Sequence, residues 1–319
     1  MTRRNSGRLP SQTNDGHGAR DSERARAYAD VAPSDASEGD AGASGVITSK
    51  DNKWIKAFRA GLQGSGPSGD EAIAVEGPKL IDDALRAGLE AEALLVSESG
   101  EAAAQRILLA ASATDYGISP SRILRTTDKL FAAAAGTETP QGVAAMFRQP
   151  SIQLQNVLGE GAAALVLVLV GVQDPGNVGT AVRSAEAFGA TGVIAVRGTA
   201  DPWSPKATRA SAGSALRLPV LRRLAVAEAI AQLKKSKVKI VATASDASTP
   251  SLTETDELFS GATALFIGSE GNGLPSEVIQ SADATIAIPM AGAIESLNAG
   301  VAASILLYEA ARQRRAGKM

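Results

Sequence analysis

The sequence predicts an α/β protein whose larger part is a parallel sheet with helices on both faces. Two observations predict this fold. From residue 164 onward, short aliphatic runs alternate with segments that carry helical spacing. The run 164–170 is apolar at every position, as in a central parallel strand covered on both sides. Strand and helix patterns also alternate over residues 46–149, so a small α/β sandwich is expected in front.

The composition excludes several classes of protein. The chain has no cysteine, which excludes disulfides, thiolate nucleophiles and cysteine metal sites. Its single histidine, His17, lies in a polar segment, so a histidine triad or zinc site is nearly excluded. The net charge of -2 gives no overall basic field that would attract nucleic acid, so any basic patch must be local. No apolar run reaches membrane-spanning length and no signal core is present, so a cytoplasmic protein without membrane contact is expected.

The first half of the chain divides into a tail, a small domain and a linker. Residues 1–45 are rich in Ser, Gly, Asp and Arg with few large apolar residues, and are expected to be a disordered tail. Residues 46–149 form the predicted small domain. Its strands are expected at 72–75, 93–96, 123–124 and 143–147, with helices near 53–59, 80–85, 101–111 and 128–134. A linker at 150–162 then leads into a larger domain, 163–319.

The larger domain follows the βα pattern to its end. Strands are expected at 164–170, 192–196, 238–243, 263–267 and 284–288. Helices are expected at 178–188, 226–234 and roughly 296–314. The last helix carries apolar residues at a spacing that predicts one buried face, namely Leu297, Val301, Ile305, Leu306 and Tyr308.

Three loops with glycine and polar residues follow strands of this domain, at 171–179, 268–275 and 289–298. In open α/β sheets, ligands bind at the carboxyl ends of the strands. The loop 268–275 is neither a Walker loop nor a dinucleotide fingerprint, because the required residues are absent. Glu270 inside it would repel phosphate, so a neutral or cationic ligand is favoured. A purely structural turn is the alternative.

Arg183 lies six residues after Asn177, in the helix that follows the first of these loops. An isolated helical arginine is usually a surface charge, and Glu186 is spaced to pair with it. Its place just inside a loop at the carboxyl edge raises the odds of a functional role, and both interpretations stay open at this point.

Three segments resemble the motifs of the SpoU (TrmH-type) RNA 2′-O-ribose methyltransferases of the SPOUT superfamily. They are 174–189 (DPGNVGTAVRSAEAFG), 266–274 (FIGSEGNGL) and 288–298 (IPMAGAIESLN). Residues 75–78 (VEGP) and 138–142 (ETPQG) resemble the small RNA-binding domain that many of these enzymes carry. The pair Ala299-Gly300 replaces the family's more usual Val-Ser, which is expected to alter helix packing and not chemistry.

The resemblance implies a fold, a cofactor and partners. It implies a SPOUT-type domain with a C-terminal trefoil knot, and a homodimer in which the partner subunit helps to build the site. It implies S-adenosylmethionine (S-adenosyl-L-methionine) as methyl donor and RNA as substrate, with ribosomal RNA ahead of transfer RNA and no metal. The implied donor-binding residues are Gly268, Ile288, Met290 and Leu297. The implied catalytic residues are Asn177, Arg183, Glu270, Ser296 and Asn298.

The role of Arg183 follows from its chemistry. Free arginine is effectively always protonated, so we expect it to grip a phosphate and stabilise a developing alkoxide, with a role as base left open. A Rossmann-type methyltransferase is disfavoured because the donor-like loops are C-terminal. A phosphate-binding enzyme is disfavoured by Glu270. A catalytically inactive SPOUT-fold protein that binds RNA or assists ribosome assembly stays open.

Overall fold

The protein folds around two sheets. The computed structural model describes residues 45–64, 72–112, 118–160, 164–244, 250–252, 257–291 and 296–316. Nearly all of the predicted disordered tail, 1–45, lies outside these residues. Across the described ranges, no helix combines the length and the hydrophobicity that a membrane crossing requires.

The first sheet has five strands in the order β1-β4-β3-β5-β2. The strands are β1 (Val46–Ile47), β2 (Ala72–Glu76), β3 (Ala91–Ser97), β4 (Ile123–Thr126) and β5 (Val143–Arg148). Its helices are α1 (Lys53–Gln63), α2 (Pro78–Arg86), α3 (Glu101–Ser112) and α4 (Asp128–Ala135). Strand β5 runs antiparallel to both neighbours. The four predicted strands are confirmed, whereas β1 is too short to give a pattern in the sequence.

The second sheet has six strands, all parallel, in the order β11-β9-β10-β6-β7-β8. They are β6 (Leu165–Leu169), β7 (Gly192–Val196), β8 (Val220–Leu224), β9 (Lys239–Thr243), β10 (Thr263–Ile267) and β11 (Ala284–Ile286). Five were predicted. Strand β8 was missed because Arg222 and Arg223 interrupt its apolar pattern, which an edge strand tolerates.

The helices that accompany the second sheet include one inside the segment predicted as a linker, 150–162. They are α5 (Leu154–Leu158), α6 (Pro175–Ala187), α7 (Pro205–Ala210), α8 (Ser214–Arg217), α9 (Val226–Lys235), α10 (Ser276–Ser281) and α11 (Ala299–Ala316). In α5, Leu154 and Val157 are buried in the core of the second sheet. Part of the linker segment is therefore packed against the larger domain.

The last helix, α11, packs against α6 with a different face from the one predicted. Its buried residues are Ala299, Gly300, Ala303, Leu306, Leu307, Ala310, Ala311 and Gln313. Val301, Ile305 and Tyr308 are exposed, so the predicted single buried face is wrong for these three residues. The physical reason is close approach. A Cβ at Gly300 would lie 3.0 Å from the Cβ of Thr180 and 3.1 Å from the carbonyl oxygen of Asn177, so the contact face needs small residues.

The two sheets are joined by a shared core and a cluster of charges. Buried apolar residues of the first sheet's helices belong to the same cluster as residues around α8. At its edge, Arg217 donates two hydrogen bonds of 2.7 Å to the Glu186 carboxylate and forms a 2.8 Å ion pair with Asp83 of α2. The small domain is therefore anchored to helix α6.

Candidate active site at the carboxyl edge of the second sheet

A cavity of about 510 Å³ opens where β9, β10 and β11 end, beneath the start of α11. This volume lies within the range of small-molecule and cofactor pockets. Six of the nine predicted site residues line it: Gly268, Glu270, Ile288, Met290, Ser296 and Leu297. The structure therefore brings the second and third motif segments together, although they are separated in the chain by a helix and a strand.

Gly268 fixes the shape of the loop that forms one wall of the cavity. The loop turns back on itself, so that Gly273 N donates to the carbonyl oxygen of Ser269 at 3.0 Å. A Cβ on residue 268 would lie 2.3 Å from the carbonyl carbon of Gly273, far inside van der Waals contact. No side chain fits at this position, which leaves backbone groups exposed to the cavity.

A chain of hydrogen bonds joins the three motif segments. The amide of Asn298 donates to Asn177 Oδ1 at 2.8 Å, and the amide of Asn177 donates to the Glu270 carboxylate. The same carboxylate accepts from the backbone N–H of Ala299 at 3.3 Å. Asn298 also caps α11 through its Oδ1, which accepts from Gly300 N at 3.0 Å. Glu270 is thus held between the first turns of two helices.

The start of α6 is set by Asp174, its N-cap. One carboxylate oxygen accepts from Asn177 N at 3.0 Å and the other accepts from Lys206 Nζ at 2.7 Å. The hydrogen bond from Lys206, followed by that from the Asn177 backbone, lowers the pKa of the Asp174 carboxyl. The cap is therefore ionised at neutral pH and keeps Asn177 turned towards Glu270.

Arg183 lies apart from this network. It is exposed on α6, does not line the cavity, and forms no ion pair with any residue in the ranges described above. The alternative that Glu186 pairs with it is wrong, because both oxygens of Glu186 are taken by Arg217. The structure thus leaves the Arg183 guanidinium available to an external anion.

Sequence reasoning missed part of the cavity wall. Thr243 and Ala244 line it at the end of β9, and Ala302 and Leu306 line it from α11. A signal was present for the first pair, since β9 was predicted and its carboxyl end must share the edge with the motif loops. Ala302 and Leu306 were missed because the apolar pattern of α11 predicted the wrong buried face for the helix.

The arrangement suits a ligand with a nucleoside part and a positive charge. Ile288, Leu297 and Leu306 supply apolar walls, the 268–273 loop supplies backbone groups, and Glu270 supplies a carboxylate. These residues fit S-adenosylmethionine. Among the described residues, no three His, Cys, Asp or Glu side chains are grouped so that they could hold a metal ion.

Two family models match the chain. The SpoU rRNA Methylase family matches residues 164–308, and the MRM3-like substrate binding domain matches residues 68–145. Together they cover all three motif segments, the whole second sheet and most of the first, from β2 to the start of β5.

Relatives and solved structures agree with this match. A tRNA/rRNA methyltransferase of a Mycobacterium species (strain KMS), described as uncharacterized, is 35% identical over 77% of this chain and 78% of its own length. The 23S rRNA (guanosine(2553)-2′-O)-methyltransferase RlmP of Bacillus subtilis is 34% identical over 73% of this chain and 86% of its own. The AdoMet-bound rRNA methyltransferase of Sinorhizobium meliloti aligns with a TM-score of 0.70 at 31% identity, over 83% of this chain and 97% of that one. The chain therefore belongs to the SpoU rRNA methylase family and is an S-adenosylmethionine-dependent RNA methyltransferase.

Proposed function

We propose that this SpoU-family enzyme methylates a ribose 2′-hydroxyl of structured RNA, with ribosomal RNA as its first candidate substrate and transfer RNA as its second. The observation that carries the proposal is the chain of hydrogen bonds from Asn298 through Asn177 to Glu270, beside a cavity that fits the methyl donor. The name of the Bacillus subtilis relative, which specifies 2′-O-methylation of 23S rRNA, supports both the ribose and the ribosomal substrate.

The donor-binding residues of the proposal are Gly268, Ile288, Met290 and Leu297, all of which line the cavity. When bound, S-adenosylmethionine supplies a methyl group on a positively charged sulfur. Ile288 and Leu297 would cover apolar surface of the donor, and the backbone beside Gly268 would hydrogen-bond its polar edges. Glu270 favours a cation over an anion in the same space. Its ties to Asn177 and Ala299 keep the carboxylate in place.

The acceptor side of the proposal rests on Arg183. The ribose hydroxyl must lose its proton as it attacks, and negative charge develops on its oxygen. An arginine that binds the adjacent phosphate also stabilises that charge. Such electrostatic stabilisation of the transition state is usually the largest single contribution to an enzyme's rate enhancement. Asn177, Ser296 and Asn298 would orient the nucleotide and the loops. Since Arg183 does not line the cavity of its own subunit, the proposal needs RNA or a second subunit to bring the two together.

A homodimer through the C-terminal domain is part of the proposal. Val301, Ile305 and Tyr308 form an apolar stripe along α11, with exposed fractions of 45%, 36% and 54%. Tyr308 also packs edge-on against Phe188 at the end of α6, with ring centroids 5.7 Å apart. A partner subunit that covers this stripe would lie beside α6 and α11, where Arg183 and Asn298 stand. The C-terminal trefoil knot and a cytoplasmic location remain predictions that accompany the proposal.

The small domain, 46–149, is proposed to select the RNA. The support is the match of residues 68–145 to a substrate binding domain. Its attachment through Arg217 to α6 would hold the bound RNA at a fixed position relative to the catalytic residues.

The product can be identified chemically. Alkaline cleavage of RNA requires a free 2′-hydroxyl, so a 23S rRNA transcript treated with the enzyme and donor should lack one rung of its hydrolysis ladder. DNA of the same sequence should take up no methyl group. Arg183→Ala should keep donor affinity and lose turnover by roughly a hundredfold, if the arginine stabilises transition-state charge. Methyl groups recovered on a base would contradict the assignment, and near-normal turnover of the variant would contradict the role of Arg183.

The same protein preparation tests the alternative that the chain is a catalytically inactive RNA-binding protein. A folded full-length protein that binds the transcript but shows no heat of binding with S-adenosylmethionine would favour that alternative. Intact Arg183 and Asn298 argue against it.

A further inference from the structure

A second cavity, of about 490 Å³, opens beside the one described above, where β6 and β10 end. It is called the crevice below, and the cavity of about 510 Å³ is called the donor cavity. The loop 269–273 separates the two and lines both of them. On the other side of the crevice lie Val170, Gly171 and Gln173, which follow β6, and Gly198, which follows β7. The crevice is therefore the next space along the sheet edge from the donor cavity.

The strand order places the crevice where the chain reverses its direction across the sheet. Strand β6 is paired with both β7 and β10. The chain leaves β6 through α6 towards β7, whereas it leaves β10 through α10 towards β11, at the opposite edge. The two helices lie on opposite faces, since Val178 of α6 packs in one core cluster and Val278 of α10 packs in the other. The loops after β6 and β10 thus diverge, and in open α/β sheets such a reversal opens a ligand-binding crevice at the carboxyl edge.

Glycine lines the crevice at positions 171, 198, 271 and 273. A Cβ added at Gly198, Gly271 or Gly273 would meet nothing within 4 Å. The space that side chains would otherwise occupy is left to a ligand, and peptide groups are exposed beside it. The crevice can therefore admit a planar ring between its two loops.

Two side-chain amides line the crevice, Gln173 from the loop after β6 and Asn272 from the loop after β10. Neither amide is hydrogen-bonded to any residue in the part of the chain that the structure describes. The backbone beside each of them is held in place. The carbonyl oxygen of Val172 accepts from Ala200 N at 2.9 Å, and Asn272 N donates to Ser269 Oγ at 3.3 Å. Both amides are thus fixed at their base and available at their ends.

The charges around the crevice decide which ligand suits it. Glu270 lines the crevice as well as the donor cavity, and its carboxylate repels a phosphate. Among the described residues that line the crevice, none is lysine or arginine. A side-chain amide offers both a donor and an acceptor, so two of them match an edge that mixes the two kinds of group. The edges of nucleobases do so, whereas a phosphodiester offers acceptors alone.

We propose that the crevice binds the nucleobase of the nucleotide that is methylated, and that Gln173 and Asn272 read the edge of this base. The inference rests on the proposed function, because it needs a ribose at the donor cavity. Neighbouring strands lie about 4.8 Å apart, so the crevice and the donor cavity are centred within roughly 10 Å of each other, a distance that one nucleoside spans. The ribose then lies at the loop 269–273, between the two spaces. Bases splayed out of single-stranded RNA loops are recognised by such contacts to their edges.

The test uses the full-length protein with the double substitution Gln173→Ala and Asn272→Ala. The matched control is Gln155→Ala with Gln280→Ala, which removes two exposed amides that line neither the crevice nor the donor cavity. The probe is a 23S rRNA transcript whose methylated position is first located from the missing rung of its hydrolysis ladder. Versions of the transcript with A, C, G or U at that position are compared by their kcat/KM. Affinity for S-adenosylmethionine and thermal unfolding report on the donor cavity and the fold.

The wild type should prefer one base over the others by roughly tenfold or more in kcat/KM, as expected for paired hydrogen bonds to a base edge. The double variant should lose most of this preference, and its kcat/KM on the preferred transcript should fall by roughly tenfold. Its donor affinity should match that of the wild type, and the control should keep the full preference.

Three results would contradict parts of this account. A wild type without base preference, or a double variant that retains it, would overturn the inference and leave the proposed function intact. A double variant with weakened donor binding and an unchanged fold would assign the crevice to the donor and so overturn the inference as well. A wild-type protein that neither binds nor methylates RNA would overturn the proposed function itself.

Discussion

The two sheets end in loops of similar composition that are used in opposite ways. In the first sheet, the Glu76 carboxylate accepts from Thr137 Oγ1 at 3.0 Å and from Gln141 N at 2.8 Å. Those bonds close one loop onto the next. In the second sheet, the Glu270 carboxylate also accepts from a side chain and from a backbone N–H, but it does so at the wall of an open cavity.

Close backbone approach shows the same contrast. A Cβ at Gly100 would lie 2.0 Å from the carbonyl oxygen of Gly142, so two loops of the first sheet touch each other. A Cβ at Gly268 would meet Gly273 within a single loop, which folds back and leaves space beside it. A glycine and a carboxylate at a sheet edge therefore do not identify a site. The distinguishing property is whether the loops close onto one another or onto a cavity.

The largest expected effect comes from a methyl group at the folded-back loop. Gly268→Ala should lower the affinity for S-adenosylmethionine at least roughly a hundredfold, because the added Cβ forces the loop to move. Gly271→Ala is the matched control, since a Cβ there meets nothing within 4 Å. Gly100→Ala completes the comparison and should reduce thermal stability while donor affinity persists. Calorimetric titration measures donor affinity for all three variants, and thermal unfolding measures their stability. Equal donor affinity for Gly268→Ala and Gly271→Ala would contradict the contrast between the two sheets.

A medium effect is expected from substituting the two carboxylates compared above, Glu270 and Glu76. Glu270→Gln removes the charge and one acceptor, so donor affinity should fall by about tenfold, in the range of one hydrogen bond to a charged group. Glu76→Gln makes the same chemical change at the first sheet. It should lower the unfolding temperature and alter donor affinity by less than about twofold. If both variants lost donor affinity equally, the two edges would not differ as described.

The smallest effect concerns the charges that join the sheets. Arg217→Ala should cost about 1 kcal/mol of unfolding free energy, since the cluster is partly exposed. The hydrogen bond from Arg217 is the main cause of the lowered pKa of Glu186, whose ordinary value is 4.5. A lowered folded-state pKa stabilises the protein above the unfolded pKa, and that stabilisation is lost as pH falls from 4.5 through the folded value.

The acid side of the stability profile tests this. The Arg217→Ala protein should lose less stability than the wild type as the pH is lowered below 4.5. Arg86→Ala serves as control, because its partner Asp82 lies on the same helix and the pair joins no two elements. Parallel profiles for wild type and Arg217→Ala would show that the cluster contributes nothing to the folded state.

Most of the fold could be predicted from the sequence because buried parallel strands are continuous apolar runs. Strands β6 and β10 are examples, and both are fully buried. Strand β8 escaped prediction because two arginines interrupt it. The burial of Arg222 depends on Asp201, Trp203 and Gln149, which come from elsewhere in the chain. A local pattern carries no information about such partners.

The site was predictable to a similar extent. The motif segments gave six of the residues that line the cavity, since loops after parallel strands meet at one edge. The facing of α11 was not predictable. Gly300 lets it approach α6, so its small residues are buried while Val301, Ile305 and Tyr308 are exposed, against the usual relation between hydrophobicity and burial. The pairing of Glu186 with Arg217 instead of Arg183 was not predictable either, because it joins residues that are 31 positions apart in the chain.

The three-charge cluster of Asp83, Arg217 and Glu186 bears on how such chains can be recombined. Asp83 belongs to the small domain, whereas the other two residues belong to the methyltransferase part. A small domain transplanted from a relative would have to bring a carboxylate at the position of Asp83. Without one, Arg217 would keep a single acidic partner, and the shared apolar core would still need matching shapes. We therefore expect the two parts to evolve together, because an exchanged small domain has to preserve an ion-pair cluster that does not line the donor cavity.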